Sequence, residues 1–249
     1  MGHIATYNDG IADLNSDYFL LLSADDHLLP DALYRATSLM DKQRDVSFVF
    51  GRALLSGDHG PPERLSPLPS TAPDQVMSGR RFVELTAARN IVPTPTAIVR
   101  TSVQLDAGGY RPDLPHTGDM EMWLRLAAYG RVGYVDADQA VYRMHGANMS
   151  VTYEGLADLQ AREKALNVFF ADGARKIDPT GGLQRKCQSQ LAGEAFRHAS
   201  MALNRGDAHA ATDFRLYGLS ISPRARLSMQ WLKLLVKRLL PRQSIPNQN

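Results

Sequence analysis

A continuous apolar block at residues 18–22, YFLLL, ends abruptly in the polar sequence SADD at residues 23–26. Consecutive apolar residues between polar flanks are typical of a strand that is buried on both faces of a parallel sheet. Ligands of α/β proteins bind at the carboxyl ends of such strands. The block therefore predicts a sheet strand, and it puts Asp25 and Asp26 at the expected place of a ligand site.

Strands and helices are predicted to alternate around this block. Apolar residues at helical spacing, with caps or prolines at the start, indicate helices at residues 2–13, 30–40, 79–88 and 119–128. β-Favouring residues indicate strands at residues 46–49, 96–99, 132–135 and 140–144. This order predicts an α/β fold. Residues 56–77, rich in Gly, Pro, Ser and Asp, predict a loop, with a lid over a site as one role for it.

The character of the sequence changes after residue 152, where helical patterns replace strands. We therefore predict two domains, a catalytic α/β domain at residues 1–152 and a helical C-terminal region at residues 153–249. Residues 183–221 predict a helix pair, and residues 224–242 predict a basic amphipathic helix. Two interpretations of that last helix stay open: peripheral contact with an anionic membrane surface, or packing against the preceding pair.

Composition and charge exclude several classes of protein. A net charge of +2 on 249 residues gives no broad field for nucleic acid, so no nucleic-acid partner is expected. The single cysteine, Cys187, excludes an intrachain disulfide and fits a reducing compartment. The N-terminus lacks the basic start and apolar run of a signal peptide. We expect a cytoplasmic protein, with the inner face of the membrane as a peripheral location.

Two acidic positions have competing interpretations. Asp25 and Asp26 form an oxygen-rich pair of the kind that binds Mg²⁺ or Mn²⁺ and bridges it to phosphates, or they begin a turn and cap the next helix. Asp119 is a general-base candidate or a first-turn acid favoured by the helix dipole. In the same helix, Glu121 and Arg125 predict an ion pair, and Trp123 predicts a core residue or an acceptor-pocket residue.

The residues after the apolar block resemble those of a known family. The segment NDGIADLNSDYFLLLSADDHLLPDAL is similar to the acidic strand and proline-led helix of inverting family 2 glycosyltransferases of the A-type (GT-A) fold. Further similar segments follow in the family's order, at residues 108–114 (GGYRPDL), 118–130 (GDMEMWLRLAAYG) and 142–150 (YRMHGANMS). The resemblance covers about residues 2–150. It implies a Rossmann-like nucleotide-diphospho-sugar transferase fold.

The resemblance also implies roles for individual residues. It puts Asn8, Ser23, Asp25 and Asp26 at the nucleotide-diphosphate site, with Ser23 standing where the family's DXD-like motif has its first acid. The metal ligands for Mn²⁺ or Mg²⁺ would be Asp25, Asp26 and His145, and Asp119 would be the catalytic base. The implied partners are a nucleotide-sugar donor and a glycan, lipid-linked or protein acceptor, in envelope or polysaccharide synthesis.

Members of this family begin with a strand of the type VSVIIPTYN, about one strand–helix–strand unit before the first residue of this chain. We therefore expect an N-terminally truncated version of the fold. Two functions follow as alternatives. The chain is a metal-assisted inverting glycosyltransferase, or it is an inactive fragment or sugar-nucleotide-binding remnant of such an enzyme.

Overall fold

The structure, a computed structural model, describes residues 2–57, 61–68, 75–145 and 154–239. The chain packs as two compact units, Met1–Gln184 and Arg185–Asn249. The helix at Leu156–Asp172, which follows the predicted boundary at residue 152, packs within the first unit. The functional division at residues 152 and 153 stays a prediction.

The first unit combines a mixed sheet with helices. Its strands are β1 (Tyr18–Leu20), β2 (His27–Leu28), β3 (Val46–Ser56), β4 (Glu63–Leu65), β5 (Gln75–Met77), β6 (Ile98–Arg100) and β7 (Arg131–Arg143). Its helices are α1 (His3–Ala12), α2 (Ala32–Lys42), α3 (Gly79–Thr86), α4 (Thr101–Ala107), α5 (Gly118–Ala127) and α6 (Leu156–Asp172), with short 3₁₀ turns at Thr94–Thr96 and Ala174–Lys176. The α/β class predicted from the sequence is therefore confirmed.

Two long strands form the centre of the sheet. Strands β3 and β7 run parallel, and the sheet order is β1-β6-β3-β7-β2, with β4 added to β3 and β5 to β7. All the other described strand pairs are antiparallel. Because β1 is antiparallel to β6 and β6 is antiparallel to β3, β1 points the same way as β3 and β7. The carboxyl ends of these three strands therefore meet at one edge.

The apolar block was assigned to a strand buried on both faces of a parallel sheet, and that prediction was wrong. Strand β1 covers only residues 18–20, pairs antiparallel with β6 alone and is half-buried. Leu22 is 44% exposed. A strand at the end of the sheet order has a neighbour on one side only, so its side chains are not covered as those of a central strand are.

Several other element boundaries differ from the sequence prediction, and two of the differences have a clear physical cause. Helix α2 begins at Ala32, two residues after the predicted start at Pro30, because Asp31 has a left-handed backbone with φ 63°. The strands predicted at residues 132–135 and 140–144 form the single strand β7. The acidic residues between them stay in the sheet because Asp136 and Asp138 both pair with Arg52 of β3.

The predicted loop at residues 56–77 contains strands β4 and β5. Residues 58–60 and 69–74 of this segment lie outside the described residues, so its predicted lid role stays a prediction.

Aromatic packing joins helix α5 to the central strands. Trp123 is 2% exposed, and its ring centroid lies 5.5 Å from that of Phe48 on β3. Phe82 of α3 packs against Phe48 at 5.3 Å in a perpendicular arrangement. The core interpretation of Trp123 is therefore confirmed, and the acceptor-pocket alternative was wrong. The predicted ion pair of Glu121 with Arg125 is also present, at 2.7 Å.

The second unit is helical, as predicted for the end of the chain. It contains most of α7 (Gly182–Asn204), then α8 (Ala208–Ile221), a 3₁₀ turn (Pro223–Leu227) and α9 (Met229–Leu239). Gly206, with φ 82°, separates α7 from α8. Cys187 is buried in α7, as expected of a structural cysteine. Within the described residues, no helix has both the length and the hydropathy needed to cross a bilayer.

Helices α3 and α5 approach each other at Gly79, and this contact generates a stability prediction. A Cβ atom at Gly79 would lie 1.6 Å from the carbonyl oxygen of Ala127, so Gly79→Ala has to push two backbones apart. We expect it to lower the free energy of unfolding by about 3 kcal/mol. Gly10→Ala in α1 is the matched control, because nothing lies within 4 Å of its added Cβ.

Urea denaturation of both variants checks this expectation. Gly10→Ala should leave the stability unchanged or raise it by up to about 1 kcal/mol, since alanine is the better helix former. Equal stability of the two alanine variants would contradict the close approach at Gly79.

Candidate active site

One cavity of about 820 Å³ opens in the first unit, at the sheet edge where the strands end. Ser23, Asp25, Asp26, Asp119 and His145 all line it. The structure thus brings together five of the six site residues predicted from the sequence, although 93 residues separate Asp26 from Asp119 along the chain.

His145 contacts the turn of Asp25 and Asp26, which follows β1. Its Nε2 lies 2.7 Å from Oδ2 of Asp25, and because an ionised carboxylate only accepts, the imidazole is the donor. This hydrogen bond lowers the pKa of Asp25 below its usual value. Asp25 is therefore ionised and partly exposed to the cavity at neutral pH.

Asp26 is fixed by the end of the central strand. Its Oδ1 accepts a hydrogen bond of 2.9 Å from the backbone N–H of Arg143, the last residue of β7. Burial raises the pKa of Asp26, the Arg143 hydrogen bond opposes that rise, and the neighbouring charge of Asp25 adds to it. Two adjacent carboxylates, one of them 7% exposed, create a local negative charge that a cation would offset.

The side chains at this turn supply part of the ligand set of the predicted cation. Mg²⁺ is typically held by one or two carboxylates and completes its shell with water and substrate phosphates, and Asp25 and Asp26 fit that pattern. Among the described residues, however, no group of three or more His, Cys, Asp or Glu side chains is arranged to hold a metal by itself. His145 at present serves Asp25 as a hydrogen-bond donor. The residues fit a cation shared with a bound phosphate, with fewer than three protein ligands.

Asp119 also lines the cavity, from the first turn of α5. Its Oδ1 accepts from the backbone N–H of Met120 at 2.7 Å. Its Oδ2 accepts from Nδ2 of Asn90 at 2.8 Å and, more weakly, from the Thr94 hydroxyl at 3.4 Å. Burial raises the pKa of Asp119 above its usual value, and the Met120 N–H only partly offsets that rise.

Asn90 and Thr94 are functional-site residues that sequence reasoning missed. They lie between α3 and β6, in a segment without a recognisable motif. The segment is held in place by Thr96, whose hydroxyl donates to the Pro93 carbonyl at 2.8 Å and accepts from the N–H of Gly51 at 3.3 Å. Only the fold brings this turn against the start of α5, so no local sequence signal was available to find it.

Tyr7 of α1 lines the same cavity as the acidic residues. Burial raises the pKa of Tyr7, and the charges of Asp119 and Asp26 add to the rise. Its ring packs edge-on against Tyr110, with centroids 5.5 Å apart. Helix α1 and Tyr110 thus supply an aromatic wall to the cavity.

Two charged side chains of α6, Asp158 and Arg162, also line the cavity. Nε2 of His116 lies 3.0 Å from Oδ1 of Asp158, which also pairs with Arg162. Burial raises the pKa of Asp158, but the hydrogen bonds from His116 and Arg162 outweigh it and lower the pKa overall. The nearby His116 ring in turn favours the ionised form of Asp119 and lowers its pKa. Sequence reasoning also missed these residues.

Asn8 is the sixth predicted site residue, and the structure does not bring it to the cavity wall. Its Nδ2 donates to the Tyr110 carbonyl at 2.9 Å, and its Oδ1 accepts from the Tyr110 N–H at 2.6 Å. Asn8 therefore fixes the backbone that carries the aromatic wall. Direct contact of Asn8 with a nucleotide stays a prediction.

Comparison with known proteins adds a loose similarity of fold. No protein-family model matches the chain, and no curated protein is significantly similar to it in sequence. A crystal structure of S. aureus TarS residues 1–349 is similar with a TM-score of 0.47 and 11% identity, covering 86% of this chain and 70% of that one. A second S. aureus TarS structure gives 0.44 and 14%, covering 90% and 41%. At these scores, the function has to follow from the site residues themselves.

The raised pKa of Asp119 leads to a prediction about stability and pH. A carboxyl group whose pKa is higher in the folded state stabilises the fold while protonated, and this contribution is lost as the pH rises through the folded-state pKa. Asp119→Asn removes the ionisation and keeps an oxygen that accepts from Asn90. We therefore expect the variant to gain stability relative to wild type as the pH rises above 3.8, the usual aspartate value.

Urea denaturation at about pH 4 and about pH 7 measures this difference. Asp106→Asn, at an exposed aspartate of α4, is the control and should show no such trend. A loss of stability of Asp119→Asn relative to wild type between about pH 4 and about pH 7 would contradict the raised pKa of Asp119.

Proposed function

We propose that this chain is the catalytic part of an inverting glycosyltransferase of family 2 and GT-A type, which transfers a sugar from a nucleotide-sugar donor to an acceptor hydroxyl. One observation carries the proposal. One cavity is lined both by an acidic pair suited to a cation and diphosphate and by a separately positioned carboxylate, Asp119. Displacement with inversion requires a leaving-group site and a base on opposite sides of the reacting carbon.

The donor diphosphate is proposed to bind at the turn of Ser23, Asp25 and Asp26, where Ser23 offers a hydroxyl in the cavity. A divalent cation, Mn²⁺ or Mg²⁺, bound by Asp25 and Asp26, with the His145 ring holding Asp25 in place, would neutralise the charge of the departing diphosphate. The electrostatic support is the close pair of carboxylates, because the Asp25 charge already opposes ionisation of Asp26.

Asp119 is proposed to act as the base. It removes the proton from the acceptor hydroxyl while that oxygen forms a bond to the anomeric carbon and the bond from this carbon to the diphosphate oxygen breaks. Three donors, from Met120, Asn90 and Thr94, hold the carboxylate in one orientation. Its raised pKa makes it a stronger base than an ordinary aspartate, which suits proton removal from an alcohol.

The transferred sugar is proposed to lie against Tyr7 and Tyr110, between the acidic pair and Asp119. Aromatic rings offer apolar faces to sugar C–H groups, and a tyrosine hydroxyl offers a polar partner. An acceptor, whether a glycan, a lipid-linked glycan or a protein, would approach from the Asp119 side. There Arg89, His116 and Arg162 provide donors for its polar groups.

Titration with nucleotide diphosphates and sugar nucleotides, with and without Mn²⁺, tests the donor site. We expect metal-dependent binding by wild type and at least about tenfold weaker binding by Asp25→Asn, which loses a charged ligand. Asp106→Asn is the control, because it removes an exposed aspartate of the same unit outside the cavity. No binding by the folded wild-type chain would contradict a working donor site.

The Asp119→Asn variant distinguishes a transferase from a remnant that only binds the donor. Transfer of labelled sugar to envelope glycan fractions should fall by about 10²–10⁴-fold, the contribution of a general base. Donor affinity should stay within about twofold, since Asp119 is not among the residues proposed to bind the diphosphate. Donor binding by wild type without transfer to any acceptor would favour the alternative of a sugar-nucleotide-binding remnant.

A further inference from the structure

Helix α9 has two apolar sides, and only one of them is covered. Leu234 is 1% exposed, and Trp231 packs against Phe196 of α7 with ring centroids 5.0 Å apart. Gln230 lies beside Gly193 of α7 on the same side. Packing against the preceding helix pair, one of the two interpretations of this helix, is thus present in the second unit.

The other side of α9 is apolar and open. Met229, Leu232 and Val236 are 61%, 53% and 50% exposed, and Leu227, in the preceding 3₁₀ turn, is 92% exposed. Residues three and seven positions apart share one helix face, so Met229, Leu232 and Val236 form a single stripe. We call these four residues the exposed stripe. Its large side chains face solvent although the helix already has a buried side for apolar residues.

Positive charge surrounds the exposed stripe. Arg224 and Arg226 lie in the same 3₁₀ turn as Leu227, and Lys233, next to Leu232, is also exposed. The sequence contains no aspartate or glutamate after Asp213. The end of the chain is therefore uniformly basic, and its field attracts a negatively charged surface.

We propose that the exposed stripe is a membrane-binding face that inserts among the acyl chains of an anionic lipid surface while the flanking Arg and Lys side chains contact the headgroups. The stripe presents alkyl and thioether groups without a hydrogen-bonding side chain, which matches a lipid interface. Within the described residues it spans two to three turns, which is short for a stable helix–helix seam with a second copy of the chain. This inference does not depend on the proposed transferase activity.

Sedimentation with vesicles tests the proposal on the full chain. The vesicles are phosphatidylcholine alone or equal parts of phosphatidylcholine and phosphatidylglycerol. We expect binding to the mixed vesicles, at least about tenfold weaker binding to the neutral ones, and weakening at about 500 mM salt. Equal binding to both kinds of vesicle, or no binding to either, would overturn the proposal.

A pair of matched variants locates the binding face. Leu232→Glu puts a charge on the exposed stripe, and Leu216→Glu puts the same charge on α8 at a leucine with the same exposure of 53%. Neither leucine is buried, so both variants are expected to fold. We expect Leu232→Glu to lose at least about tenfold in vesicle affinity and Leu216→Glu to bind within about twofold of wild type. An equal loss in both would show a general effect of charge and would overturn the proposal.

Sedimentation velocity without lipid tests whether the exposed stripe binds a second copy of the chain instead of a membrane. If the stripe joined two copies of the chain, wild type would be a dimer that Leu232→Glu dissociates, and that result would overturn the membrane assignment. We expect wild type and both variants to have the same sedimentation coefficient.

Discussion

The parallel pairing of β3 with β7 is the constraint on which the site depends. The end of β7 fixes Asp26 through the N–H of Arg143 and leads directly to His145. Gly51 of β3 fixes the turn that carries Asn90 and Thr94, through the hydroxyl of Thr96. Helix α5 packs on β3 through Trp123, which positions its first turn over the same edge. Loss of this pairing would move Asp25 and Asp26 away from Asp119.

The surroundings of two carboxylates in the cavity shift their pKa values in opposite directions. Asp25 accepts from His145 and has a lowered pKa, whereas burial gives Asp119 a raised pKa. Carboxylates whose environments separate their pKa values in this way are suited to different roles at one pH. In the proposed function, Asp25 supplies the permanent negative charge that faces a cation, and Asp119 is the group that gains and loses a proton.

The sequence was informative where residues near each other along the chain form the structure. Helix α5 with its Glu121–Arg125 pair, the cap of α3 at Ser78 and the break at Gly206 follow from local spacing and backbone preference. The parallel burial of residues 18–22 was predicted wrongly, because an apolar run does not reveal how many neighbours its strand has. Asn90, Tyr7 and Asp158 escaped notice because each reaches the cavity only through tertiary packing.

The burial of Asp119 bears on the choice between an enzyme and a binding remnant. An ionised carboxylate in the cavity wall opposes folding at neutral pH, and its three donors offset that cost only partly, since its pKa stays raised. A module that only bound a nucleotide diphosphate at Asp25 and Asp26 would gain nothing from a desolvated carboxylate at Asp119. A base must be desolvated and oriented before it meets an alcohol, so the cost is explained if the chain carries out transfer.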